Sequence, residues 1–126
     1  VLICQEDVRA IQVAKAAVHA GIMILLSQAG IREDEIDKVY IAGGFGYFLD
    51  VESACNIGLL PARFEGIAEA VGNTSLAGCL EYGLQYRKNP FHDPAAKIRE
   101  KVTDINLAQV YEFEKLYFGA MDLKRM

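Results

Sequence analysis

Cysteine is scarce in this chain, with three residues at positions 4, 55 and 79. The count is odd and no two lie close in sequence, so neither a disulfide framework nor a Cys-x-x-Cys metal site is indicated. The expected role of each is that of a small buried apolar residue. Such usage fits a reducing compartment, and a cytoplasmic location is expected. Long basic runs are also missing, and the formal net charge is −4. That argues against nucleic acid and anionic membrane as partners. The longest apolar stretch, Gly21 to Leu26, falls far short of the roughly 20 residues that span a bilayer. No basic stretch precedes an apolar one at the start, so no signal peptide is expected.

What is present is an ordinary globular composition, 52% hydrophobic and 24% charged over 126 residues. That length suits one domain, or one lobe of a larger one, with a real core. The chain opens on Val1 and enters a helix almost at once, as a piece of a longer protein would.

Glu6 to Ala29 is expected to be a long helix. Val8, Ile11, Ala14, Val18, Ile22, Leu25 and Ala29 recur at spacings of three and four, the helical period. Ala10, Val13, Ala17, Ala20, Gly21 and Ile24 make the other side apolar too, which predicts burial on most sides. The small residues there would let another element approach closely. A narrow polar stripe remains: Gln5, Arg9, Gln12, Lys15 and His19. Gly30 is placed to end the helix as its C′ residue.

Arg32 to Asp37 reads as a turn or a single helical turn. Lys38 to Ala42 is a compact run of β-branched and aromatic residues, expected as a buried strand. It feeds Gly43-Gly44-Phe45-Gly46. A helix start follows at Leu49 to Glu52, with Asp50 as its cap. Ile67 to Val71 reads as a second strand. Thr74 to Leu84 is a helix with Leu76, Leu80 and Leu84 on one face, capped by Asn73 or Thr74. Arg87 to Pro94 is a loop, and Asp93-Pro94 is placed to start a helix over Ala95 to Lys101. Val102 to Ala108 alternates as a third strand would. Val110 to Met121 is a last helix docking by Tyr111, Phe113, Leu116 and Tyr117, with Lys124 and Arg125 fraying. The order predicts a layered α/β fold with a short sheet.

A buried strand that ends in Gly-Gly-Phe-Gly and runs into a helix is a recognisable device. Glycine lets backbone press against a flat ring or a phosphate. Ligands of open α/β sheets bind at the carboxyl ends of strands, and helix N-termini favour negative charge. The spacing excludes a dinucleotide fingerprint, because position 49 is Leu, and a P-loop, because no Gly-Lys-Ser/Thr exists. On spacing alone, a tight strand-to-helix turn with no ligand stands beside the ligand-loop reading. Gly72-Asn73-Thr74 repeats the strand, glycine, helix-start arrangement, with a plain helix cap as its bland counterpart. If the two strands are neighbours, both corners open on one sheet edge. On the first helix, Lys15 could reach a phosphate or ribose and Gln12 a base edge, against the plainer reading of a solvated face. His19 and His92 have no ligand pattern near them and read as structural. No metal site and no catalytic constellation is indicated.

Three strings carry a resemblance: QEDVRAIQVAKAAVHAGI from Gln5 to Ile22, KVYIAGGFGYFLDVESACNIGLLP from Lys38 to Pro61, and AVGNTSLAG from Ala70 to Gly78. Together the chain resembles the C-terminal region of the ATP-dependent reductive activators of corrinoid proteins. Those belong to the acetate and sugar kinase, heat-shock chaperone and actin superfamily. The likeness runs from about Gln5 to Met121 and is loosest in the last quarter. It implies one lobe of an actin-like ATPase fold, a short sheet with helices packed on it, with 1–126 a single C-terminal lobe.

The resemblance further implies ATP with Mg as ligand of the full-length protein, and a 2Fe–2S cluster in an N-terminal ferredoxin-like domain outside this chain. The implied activity is ATP-driven reduction of Co(II) corrinoid to Co(I). The implied partner is a corrinoid protein of a methyltransferase system in an anaerobe. Gly43, Gly44, Phe45 and Gly46 match the superfamily's adenosine motif, and Gly72 and Asn73 match a second family loop. Catalytic residues would lie upstream. The chain alone would then hold half a nucleotide cleft, bind no cofactor tightly, neither hydrolyse ATP nor transfer electrons, and tend to self-associate through uncovered apolar surface, as a homo-oligomer. The alternatives are half of another kinase-like member of the superfamily, and a non-enzymatic module whose aromatic C-terminal helix docks a partner.

Overall fold

A computed structural model describes residues 2–126, and for Phe45 the main chain only. The elements run α1 (Gln5–Ala29), β1 (Val39–Ala42), α2 (Gly44–Tyr47), α3 (Val51–Asn56), β2 (Ala68–Gly72), α4 (Thr74–Lys88), α5 (Ala96–Arg99) and α6 (Phe113–Gly119). Single 3-10 turns lie at Glu33–Glu35, Ala62–Phe64 and Leu107–Gln109. The chain forms two compact units. One holds residues 2–40, Leu49–Glu69 and Asn106–Met126; the other holds Ile41–Phe48 and Ala70–Ile105.

The first unit is built on α1. Its end follows the glycine signal: Gly30 is left-handed at φ 66°, and Ile31 N–H reaches back to Leu26 O at 3.0 Å. That closes the last turn as a left-handed cap does. The buried face is Lys15, Ala16, His19, Ala20, Gly21 and Ile24. The expected Val8-to-Ala29 face is not the docking face: Ile11, Val18 and Leu25 are exposed. Small residues won because α6 packs on α1, and alanine and glycine permit the closest approach of two helices. An added Cβ on Gly21 would stand 3.3 Å from Leu107 Cδ1. Ala120, Ala54, Cys55, Leu60 and Phe64 complete this core.

The polar stripe of α1 is therefore not a solvated face along its length, since Lys15 and His19 are buried. By length and composition the whole of α1 is apolar enough to cross a membrane, although no single run in it is long. Its packing against α6 gives that composition a use inside the unit.

The remaining departures from expectation share a cause, the choice of which surfaces meet. Cys55 alone of the cysteines is buried; Cys4 and Cys79 are exposed. Tyr111, ahead of α6, is 94% exposed, so α6 docks through Phe113, Leu116 and Tyr117 without it. The segment around Lys124 and Arg125 is tied down rather than frayed. Ala62 N–H donates to the Met126 backbone oxygen at 2.6 Å, and Arg125 Nη1 donates to Asn56 Oδ1 at 2.9 Å and also pairs with Glu65.

β1 and β2 form a two-stranded parallel sheet. Within the first unit, Val39 N–H donates to Ile67 O at 3.0 Å, and Lys38 pairs with Glu69 at 2.7 Å. β1 alternates half-buried and exposed residues, with Tyr40 exposed, so it is not the fully buried strand its composition suggests. Among the described residues no third strand forms over Val102–Ala108.

In the second unit α4 starts at Asn73, whose Oδ1 accepts from Leu76 N–H at 3.0 Å. Its Leu76, Leu80 and Leu84 face is exposed, and Tyr82 stacks on Tyr86 with ring centroids 6.3 Å apart. α5 is shorter than expected and its N-cap is Ala95. Asp93 instead accepts from Ala95 N–H at 2.9 Å and pairs with Arg99, which makes a turn ahead of the helix.

Candidate functional site

A glycine of left-handed conformation follows β1 and closes β2, Gly43 at φ 96° and Gly72 at φ 71° respectively. Side chains with a Cβ rarely adopt that region. A helix begins at the next residue after Gly43, and one residue later after Gly72. The two corners meet within the second unit: Gly43 N–H donates to Gly72 O at 2.8 Å. The expectation that both corners share one sheet edge is thus met.

The Gly-Gly-Phe-Gly segment is not an open loop beyond its first residue. Gly44 to Tyr47 forms a single helical turn, closed by Tyr47 N–H to Gly43 O at 3.2 Å. Its glycines serve different ends. A Cβ on Gly46 would stand 2.5 Å from Ile41 Cγ2, so Gly46 is fixed by packing on β1. Sequence reasoning missed Ile41, whose only signal was its position five residues ahead. An added Cβ on Gly43, Gly44 or Gly72 meets nothing within 4 Å. For Gly43 and Gly72 the backbone angle explains the residue. Gly44 lies outside the left-handed region, so neither conformation nor packing in this chain demands a glycine there.

That open, Cβ-free backbone fits a group that approaches the main chain closely, as a base or ribose does. Tyr47 and Phe48, both exposed, make an edge-to-face pair with centroids 5.1 Å apart directly after the turn. The Phe45 ring, a candidate by sequence, lies outside the described residues. Asn73 is engaged by its capping bond.

The other two candidates belong to the first unit. Gln12 is half-buried on α1. Lys15 is buried, and its Nζ donates to Asp122 O at 2.5 Å. It could reach a phosphate only by giving up that bond. Asp50, after the turn, caps α3 by accepting from Ser53 N–H at 3.0 Å and from the Ser53 hydroxyl. Those bonds, the hydroxyl's first, hold its carboxyl below the ordinary 3.8.

The family model for the C-terminal domain of RACo, the ASKHA domain, matches residues 1–126. This chain belongs to that family. It is 36% identical over 118 residues to the corrinoid activation enzyme RamQ of Eubacterium limosum, covering 93% of this chain and 19% of that protein. It is 31% identical over 101 residues to the Co(II) methylated amine-specific corrinoid protein reductase of Methanosarcina barkeri, covering 80% of this chain and 18% of that one. The solved structure of a reductive activator for corrinoid, iron–sulfur protein superposes with a TM-score of 0.79 at 33% identity, covering 96% of this chain and 19% of that chain. The chain thus spans about a fifth of the length of these relatives. The match also identifies the fold class: a helix-rich α/β piece of the ASKHA type with a short parallel sheet.

Proposed function

We propose that this chain supplies the adenosine side of an ATP site in a longer protein that reduces Co(II) corrinoid to Co(I) for a methyltransferase system. The observation that carries the reading is the pair of strand-to-helix corners joined at Gly43 and Gly72, with open space at Gly43, Gly44 and Gly72 where a Cβ would project. Gly43 to Gly46, with Gly72 and Asn73, would hold the adenosine by close backbone approach. Lys15 is left out, because its ammonium is buried against Asp122 O. ATP with Mg would supply the driving energy, and a 2Fe–2S cluster elsewhere in the protein the electron. The residues here would bind and orient, and phosphate cleavage would fall to residues outside this chain. The names of the relatives support the corrinoid partner and the reductive direction. A cytoplasmic location goes with this reading, α1 being a core helix of the first unit.

The test is calorimetric titration of ATP into the full-length protein and its Gly44→Ala variant. The expected result is binding weakened at least about tenfold, near 1.4 kcal/mol, with the fold intact. Equal affinity in the two proteins overturns the reading.

A second reading, partner docking, draws on one observation. A hollow of about 730 Å³ is lined by Val110, Tyr111, Glu112, Lys115 and Phe118, among others, and Tyr111 and Phe118 are exposed. Exposed aromatics beside a hollow are common at binding surfaces. Titration of the corrinoid protein against a Tyr111→Ala, Phe118→Ala variant separates the two: loss of that affinity with ATP binding unchanged assigns this face to the partner.

A further inference from the structure

Two groups on the buried face of α1 are chemically out of place in a core of alanines. Lys15 is 1% exposed and His19 is 6% exposed, one helical turn apart on the same face. Lys15 Nζ donates to Asp122 O at 2.5 Å and lies 3.8 Å from Met126 Sδ. Among the described residues His19 Nδ1 is buried with no hydrogen-bond partner. An unpartnered buried polar atom is costly, and native chains carry few of them.

The segment Asp122–Met126 is seated over Lys15, one helical turn from His19. Gly58, after α3, marks how close the seat is. An added Cβ there would stand 2.4 Å from Lys124 O, 3.0 Å from Lys15 Nζ and 3.2 Å from Met126 Cγ. The segment is held at its far end by Ala62 N–H to the Met126 backbone oxygen and by Arg125 to Asn56 and Glu65.

We propose that Lys15 and His19 form a proton-sensitive latch, in which neutral His19 keeps Asp122–Met126 seated on α1 and protonated His19 releases it. A proton on Nδ1 would create a second buried cation beside the Lys15 ammonium. The groups that face His19 are Lys15 from its own helix, Glu33 from the 3-10 turn and the Gly58 backbone after α3. Asp122 and Lys124 act on Lys15 from the segment itself. Burial first, and the Lys15 charge second, push the imidazole below its ordinary 6.5, against the smaller opposing effects of Glu33 and Gly58.

The sign follows from proton counting. The seated state binds fewer protons than the released state, where His19 returns to its ordinary value. The latch is therefore fully closed above about 6.5 and loosens as pH falls through the depressed value. Between those limits the released-to-seated ratio rises by up to about tenfold per pH unit, the slope of one linked proton.

Hydrogen exchange on the full-length protein tests this, reading the Ala62 amide and the amides of residues 122–126, each corrected for intrinsic exchange. From about pH 7.5 to about pH 5.5, a range that brackets the ordinary histidine value, protection is expected to fall in the wild type. It should stay level in His19→Gln, which keeps a polar side chain of similar reach but does not titrate. Lys15→Met should raise exchange of the same amides at every pH, by removing the bond to Asp122. Protection that does not change with pH, or an undiminished slope in His19→Gln, overturns the latch. So does unchanged protection in Lys15→Met. Direct titration of the His19 ring by NMR needs no variant: a midpoint below 6.5 supports the latch, and one at or above it overturns the proposal.

Discussion

At the scale of residues, the glycines of the first corner divide into one that packing fixes and one that packing leaves free. Gly46→Ala places a methyl where Ile41 already stands, and overpacking of that kind costs about 1–3 kcal/mol. Gly44→Ala meets open space, so thermal unfolding should move by less than about 0.5 kcal/mol, as at unencumbered surface positions. Melting curves of the two variants side by side check this, and equal losses would contradict the assignment of Gly46 to packing. Asn73→Ala removes the cap on Leu76 N–H and should cost roughly 1 kcal/mol, while Asn73→Asp keeps it. Asp50 adds a pH signature. Its carboxyl is held below 3.8 by Ser53, so its contribution is present above that value and lost as pH falls through the depressed one. The stability gap between wild type and Asp50→Ala, followed by denaturant titration, should therefore close in acid.

At the scale of elements, what was legible is what is decided locally. The end of α1 at Gly30, the caps at Asp50 and Asn73 and the two strand-to-helix corners each depend on a few neighbouring residues, and each stands where the sequence indicates. What was not legible is the face each helix buries. On α1 the bulky stripe through Ile11, Val18 and Leu25 has the stronger apolar signal, yet the alanine stripe is buried, because α6 needs close approach more than it needs area. The alternation of Val102–Ala108 likewise needed a partner strand, which local sequence does not report. For the site, the glycine corners were legible and the roles within them were not, since Ile41 under Gly46 is a packing fact. The helix assignment has a direct check. Ala20→Leu should destabilise by about 1–3 kcal/mol, whereas Val18→Leu should stay within about 0.5 kcal/mol, as measured by urea unfolding.

At the scale of the whole molecule, the chain is about a fifth of its relatives, and its exposed apolar stripes belong to that arithmetic. Ile11, Val18 and Leu25 on α1, and Leu76, Leu80 and Leu84 on α4, remain uncovered in the chain by itself. Contiguous apolar surface of this kind drives association. Light scattering of the isolated chain should report a mass above the monomer's 13.9 kDa, and a monomer at every concentration would contradict it. On the function proposed above, in which this chain supplies the adenosine side alone, the isolated chain should also show no ATP turnover; robust hydrolysis would refute that. The difference between Gly44 and Gly46 has a further consequence for how such a chain drifts under selection. A screen that rewards abundance alone should forbid change at position 46 and allow it freely at 44. On the function proposed above, a screen that rewards corrinoid activation by the full-length protein should close both. If the proposed site is the right one, lineages that kept the fold but lost the nucleotide carry their record at position 44 first.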